Sequence, residues 1–263
     1  MKKVVSADGT PIAYERSGEG PALILVGGAF GVKDAAAPLA SLLAPHFTTI
    51  AYDRRGRGDS GDSPAYSVGR EIEDLGALIA EVGGAAFVYG HSSGAALALA
   101  AAAAGLPIAG LALYEPPFII DGTRPPIPAG FGAKLSEFVA AGQPGDAVAA
   151  FWREAMQMPA ETIEQARKAP MWAGLEALAH TLPYDVAIVE ANQQGRPLPT
   201  EWSTLVTVPT LVMDGGASPA FQGNSVAALT RLLPHAERRT FEGQGHGAPA
   251  ELLAPVLIEF FRR

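Results

Sequence analysis

The chain contains no cysteine, which removes disulfides, thiolate metal sites and thiol nucleophiles together. It also has no long apolar run. The greasiest stretch, Ala95–Ala104, falls far short of the roughly 20 residues that a bilayer requires. Basic excess is missing too: 19 Lys and Arg stand against 27 Asp and Glu, a formal charge of −8. No electrostatic footprint for nucleic acid remains. Met1–Ser6 reaches Asp8 and Gly9 without the apolar core of a secretory signal, so a cytoplasmic protein with no membrane partner is expected. No H-x-x-x-H helix or carboxylate–histidine cluster is present, so neither metal nor cofactor is expected. Gly56-Arg57-Gly58 lacks the third glycine and the helix start of a dinucleotide site.

What is present is the composition and rhythm of an α/β enzyme. The 263 residues are 48% hydrophobic, much of it alanine, enough for one sizeable core. Val4–Ser6 and Ile12–Glu15 flank the turn Asp8-Gly9-Thr10-Pro11 and predict a hairpin. The runs Ala22–Val26, Thr48–Tyr52, Ala85–Tyr89, Gly110–Tyr114 and Thr210–Met213 are short and apolar, the pattern of strands buried on both faces. Helical segments are predicted at about 35–43, 70–82, 93–104, 225–233 and 251–261. Alternation of this kind predicts an open, mostly parallel, doubly wound sheet. Ligands bind such sheets beyond the carboxyl ends of the strands, where Gly27, Ser92, Glu115 and Asp214 lie. Between Tyr114 and Thr210 the rhythm stops. Helical patterns at about 131–141, 147–156, 160–168 and 172–181 predict a cap over residues 116–205, with the α/β core in two parts, 1–115 and 206–263. The cap aromatics and methionines, Trp172 among them, suit either a small core of the cap or an adaptable apolar wall. Phe30, His91, Phe118 and Trp172 are the expected pocket residues.

Gly90-His91-Ser92-Ser93-Gly94 is a G-x-S-x-G pentapeptide between a strand and an alanine-rich helix. A turn that tight pushes Ser92 out at the top of the sheet as a nucleophile. A serine alcohol needs a base to take its proton, and histidine is the usual one. Of five histidines, His246 sits in Glu242-Gly243-Gln244-Gly245-His246-Gly247, after a plausible last strand at Arg238–Phe241. His91, inside the elbow, packs rather than acts as base. An oxyanion hole needs two backbone donors, and Ser93 and Ala29 are placed to supply them.

Together these pieces resemble the α/β-hydrolase fold along nearly the whole chain. The matching parts are the loop from Gly27 to Phe30, Asp53-Arg54-Arg55-Gly56-Arg57-Gly58-Asp59-Ser60, the Gly90–Gly94 elbow, the cap and the terminal Gly-His loop. The resemblance implies esterase-like chemistry through Ser92 and His246. Two departures stand out: Gly27-Gly28 replaces the family's usual His-Gly, and Ser218 occupies the place of its usual acid. Some members draw the acid from the preceding strand, where this chain has Glu115, braced by Pro116-Pro117. Glu115 is the expected acid and Asp214 the alternative; Asp53 is read as a structural ion-pair residue. The expected reaction is cleavage of an ester, thioester or lactone of a small to medium, mainly apolar substrate. Two alternatives stay open: a C–C hydrolase, lyase or cyclase using His246 as general base, and a weakly catalytic ligand-binding protein.

Overall fold

The computed structural model describes residues 1–263. Its first half runs β1 (Lys2–Val5), β2 (Pro11–Ser17), β3 (Ala22–Val26), α1 (Ala37–Leu43), β4 (Thr48–Tyr52), α2 (Val68–Glu81), β5 (Ala86–His91), α3 (Ser93–Ala103) and β6 (Ile108–Tyr114). Six helices follow without a strand: α4 (Phe131–Ala140), α5 (Pro144–Glu154), α6 (Ala160–Ala166), α7 (Trp172–Ala177), α8 (Leu182–Val189) and α9 (Trp202–Leu205). The chain then closes with β7 (Thr210–Gly215), α10 (Ala220–Leu232), β8 (Ala236–Phe241) and α11 (Ala250–Phe261). One eight-stranded sheet results, in the order β1-β2-β4-β3-β5-β6-β7-β8. The β1–β2 and β2–β4 pairs are antiparallel and every later pair is parallel, the α/β-hydrolase architecture.

The apolar runs become central strands because both faces of the sheet are covered. Alternate residues divide between two cores. Ile24, Val26, Ile50, Val88, Leu111, Leu113 and Val212 face α2 and α3, while Leu23, Leu25, Tyr89, Ala112, Leu211 and Met213 face α1 and α11. Helix α3 is buried almost all round, as its uniform alanine and leucine surface requires.

The later helices differ in detail from the sequence reading. The segment expected to be one helix over 172–181 breaks after Ala177 into a 3₁₀ turn and then α8. Pro183 lies in the first turn of α8, where its missing N–H is harmless. Helix α10 begins at Ala220 rather than near Ser225, because Pro219 caps its start.

Burial also reaches the charged loop after β4. The Arg55 side chain is inaccessible to solvent; Nε and Nη2 donate to Asp74 at 2.8 and 2.7 Å, and Nη1 donates to Asp8 Oδ2 at 3.0 Å. Asp53 accepts from the Lys33 and Asp59 backbone N–H groups and from Lys33 Nζ, which places it as a loop-fixing residue. Breaking a buried pair costs about 3–5 kcal/mol through the charge left behind. Arg55→Met is expected to lower urea-denaturation stability by about that amount, and adding Asp74→Leu to recover part of it. No loss in the single variant would contradict this account.

Candidate active site

The turn between β5 and α3 holds Ser92 at φ 57°, ψ −125°, a strained backbone for a side-chain-bearing residue. Its flanking glycines are obligatory. A Cβ on Gly90 would strike the backbone of Gly94 and Ala95, and one on Gly94 the carbonyls of Val26 and Gly27. The helix start therefore packs directly on the end of β3, and Ser92 projects over the sheet.

Three side chains converge there. Ser92 Oγ lies 2.9 Å from His246 Nε2, and His246 Nδ1 lies 2.6 Å from Glu115 Oε2. A carboxylate only accepts, so Nδ1 carries the ring proton and Nε2 accepts from the serine hydroxyl. Glu115 is fully buried and follows the end of β6 with φ 45°. Its second oxygen accepts the Gly215 N–H at 2.8 Å, tying the end of β6 to the end of β7.

The histidine loop is pinned by two further side chains. Tyr114 Oη donates to the Gly245 carbonyl at 2.7 Å, and His91 Nε2 donates to the His246 carbonyl at 2.6 Å. Burial and the neighbouring His246 push the His91 pKa down to about 4, only partly offset by that hydrogen bond. His91 therefore stays neutral, with its ring centre 5.0 Å from that of His246. The Gln222 amide, from the first turn of α10, lies 3.1 Å from His246 Nδ1.

Other residues lie elsewhere than the sequence suggested. Asp214 is turned away from His246: Arg238 holds it in a two-pronged pair at 3.0 and 2.6 Å, and Thr240 Oγ1 donates at 2.9 Å. Its register partner on β8 is Thr240, so its carboxylate is spent within the sheet edge. Phe118 does not line the pocket. A turn closed by its own N–H to the Pro116 carbonyl sends the ring into the main core against Trp202. Trp172 packs edge-on against Trp152 in a separate apolar cluster among the helices between β6 and β7 and also misses the pocket. Ser218 has a buried hydroxyl without a hydrogen-bond partner, so it makes no hydrogen bond to His246.

Beside Ser92 opens a cavity of about 290 Å³. Ala29, Phe30, His91 and Ser93 line it, with apolar walls from Phe131, Phe151, Val186 and Phe221. Its one carboxylate wall residue is Asp185 of α8, which no local feature of the sequence marks. Burial would raise its pKa, but Arg57 and Arg54 outweigh that and hold it low. Asp185 accepts from Arg54 Nη1 at 2.8 Å, Arg57 Nη2 at 2.7 Å and Ser93 Oγ at 2.7 Å. No helix of the chain is long and apolar enough to cross a membrane.

Comparison with known proteins agrees with this architecture. The model of the Alpha/beta hydrolase family matches residues 23–255. N-formylmaleamate deformylase of Pseudomonas putida is 30% identical over 260 residues, covering 93% of this chain and 89% of that protein. An alpha/beta hydrolase from Sphaerobacter thermophilus has a structure with TM-score 0.92 and 52% identity, covering 99% of this chain and all of that one. The enol-lactonase of Burkholderia xenovorans, 19% identical, shares the fold with TM-score 0.74 over the full length of both chains.

The neutral His91 has a consequence for stability. The folded protein takes up its proton only near pH 4, whereas the unfolded chain does so near 6.5. Between those values the unfolded state binds more protons, so stability falls as pH drops from about 6.5 to 4, by up to about 3 kcal/mol. His91→Gln keeps a donor for the His246 carbonyl but does not titrate. Urea denaturation near neutrality and near pH 4 is expected to give a smaller acid loss in His91→Gln than in wild type; equal losses would refute it.

Proposed function

The chain is a hydrolase of the alpha/beta hydrolase family, and on that premise we propose that it cleaves an ester, thioester or lactone through an acyl-enzyme on Ser92. The observation that carries the reading is the unbroken hydrogen-bond chain Ser92–His246–Glu115 opening onto an apolar cavity. His246 Nε2 takes the Ser92 proton as Oγ attacks the substrate carbonyl. The Ala29 and Ser93 N–H groups hold the resulting oxyanion. His246 then returns the proton to the leaving oxygen or sulfur. A water molecule, deprotonated in turn by His246, attacks the acyl carbonyl and frees Ser92. Glu115 keeps the imidazole in the required tautomer and balances its transient positive charge.

The substrate in this reading is small to medium, uncharged and mainly apolar. The cavity lies at the lower end of the ~300–1,000 Å³ usual for ligand pockets. Both oxygens of Asp185 are taken by arginines, and His91 is neutral, so neither offers a charged substrate a counter-ion. The deformylase from Pseudomonas putida bears a name that denotes an anionic substrate; this pocket favours a different one.

Labelling with a fluorophosphonate, together with turnover of neutral p-nitrophenyl esters, tests the proposal. Wild type is expected to be modified on Ser92, and Ser92→Ala to lose both signals. Glu115→Gln should fall by about 10²- to 10⁴-fold, since an amide leaves the imidazole in the wrong tautomer. Asp214→Asn should stay near wild type. Folded wild type that neither labels nor turns over esters would sink the acyl-enzyme reading. Substrate turnover that survives Ser92→Ala but not His246→Ala would instead favour general-base chemistry of the C–C hydrolase or lyase kind.

A further inference from the structure

Arg57 carries a fully buried guanidinium with two distinct tasks. Nη1 donates to the Gly28 carbonyl at 2.6 Å, and Nη2 to Asp185 Oδ2 at 2.7 Å. The Gly28 carbonyl also accepts the Gly31 N–H at 3.1 Å. That carbonyl belongs to the same peptide plane as the Ala29 N–H. In a trans peptide the two groups point in opposite directions, so fixing one aims the other. A charge-assisted bond to the oxygen also polarises the amide and strengthens its N–H as a donor. The loop abuts the serine: a Cβ on Gly28 would lie 2.9 Å from Ser92 Cβ.

The second donor is tied to the same carboxylate. Ser93 Oγ donates to Asp185 Oδ1 at 2.7 Å, and Arg54 Nη1, which donates to that oxygen at 2.8 Å, reaches the Gly27 carbonyl at 3.3 Å. Asp185 belongs to α8 of the cap; the groups it holds belong to the core. One cap carboxylate thus stands a single side chain away from both backbone donors beside Ser92.

We propose that Arg57 and Asp185 are positioning residues for the oxyanion hole, so that its donors are aimed only while α8 of the cap is seated on the core. The inference rests on the acyl-enzyme reading. It asks more of the cap than a substrate wall. The neighbouring Arg55 serves as contrast: it is equally buried, but its partners Asp8, Asp74 and the Arg70 carbonyl do not touch the loop beside Ser92.

The test uses Arg57→Gln, Arg57→Lys and Asp185→Asn, with Arg55→Lys as control. Steady-state kinetics on a neutral p-nitrophenyl ester are paired with inhibition by a trifluoromethyl ketone, whose adduct carries an oxyanion. The matching methyl ketone reports ground-state binding. Arg57→Gln and Asp185→Asn are expected to lower kcat about 10- to 100-fold with KM little changed, short of the ~10²–10³-fold for outright loss of one donor. Trifluoromethyl ketone affinity should fall in step, while methyl ketone affinity holds. Arg57→Lys, which keeps a positively charged donor, should recover part of the loss. Arg55→Lys should lower stability alone. Asp185→Asn is nearly isosteric and serves if the Arg57 variants fail to fold. Unchanged kcat, or a loss shared equally by KM and both ketones, overturns the proposal while leaving the acyl-enzyme intact. Wild type that forms no ketone adduct and hydrolyses no ester overturns both.

Discussion

A carboxylate withdrawn entirely from water must be given its donors by the fold, and Glu115 is that case here. One oxygen accepts from the backbone at the end of β7 and the other from the histidine loop beyond β8. Its own backbone bends through positive φ to reach both. Three neighbouring strands must therefore end in register before His246 can stand over Ser92. The parallel pairing of β5, β6, β7 and β8 supplies that register, and the two glycines of the elbow let α3 begin close enough to meet it.

A second set of buried charges joins the layers. Arg54 and Arg57 stand between Glu71 of α2, Asp185 of α8 and the carbonyls after β3. Two guanidinium groups meet two carboxylates, so the cluster is close to neutral. Such clusters add little net stability against an apolar alternative but penalise any arrangement that separates the partners. That property suits an interface whose relative placement matters more than its strength.

What the sequence disclosed follows the range of the interactions involved. Ser92 was legible because its constraint is local: two glycines, a strand before and a helix after. Glu115 and His246 were legible through their positions at strand ends and through family resemblance. Asp185 was not, because its partners lie 92 to 131 residues away and nothing near it distinguishes it from a solvent-facing aspartate. Phe118 and Trp172 illustrate a subtler gap. Both were expected in the pocket, but a single turn at Pro116 and the pairing with Trp152 decide which apolar region receives each ring. Asp214 lies one residue before the end of β7, and only the register with Thr240 and the reach of Arg238 reveal that its charge is committed elsewhere.

Helix α8 presents two kinds of residue to the cavity within five positions. Val186 and Val189 are wall, free of polar partners, and volume-conserving exchanges at such sites are tolerated well. Asp185 is bound into the core and has no substitute of equal charge and reach. One short helix thus carries both replaceable apolar wall and a fixed charge, so the shape of the cavity can change at the valines while the ionic tie between α8 and the loop after β4 stays in place.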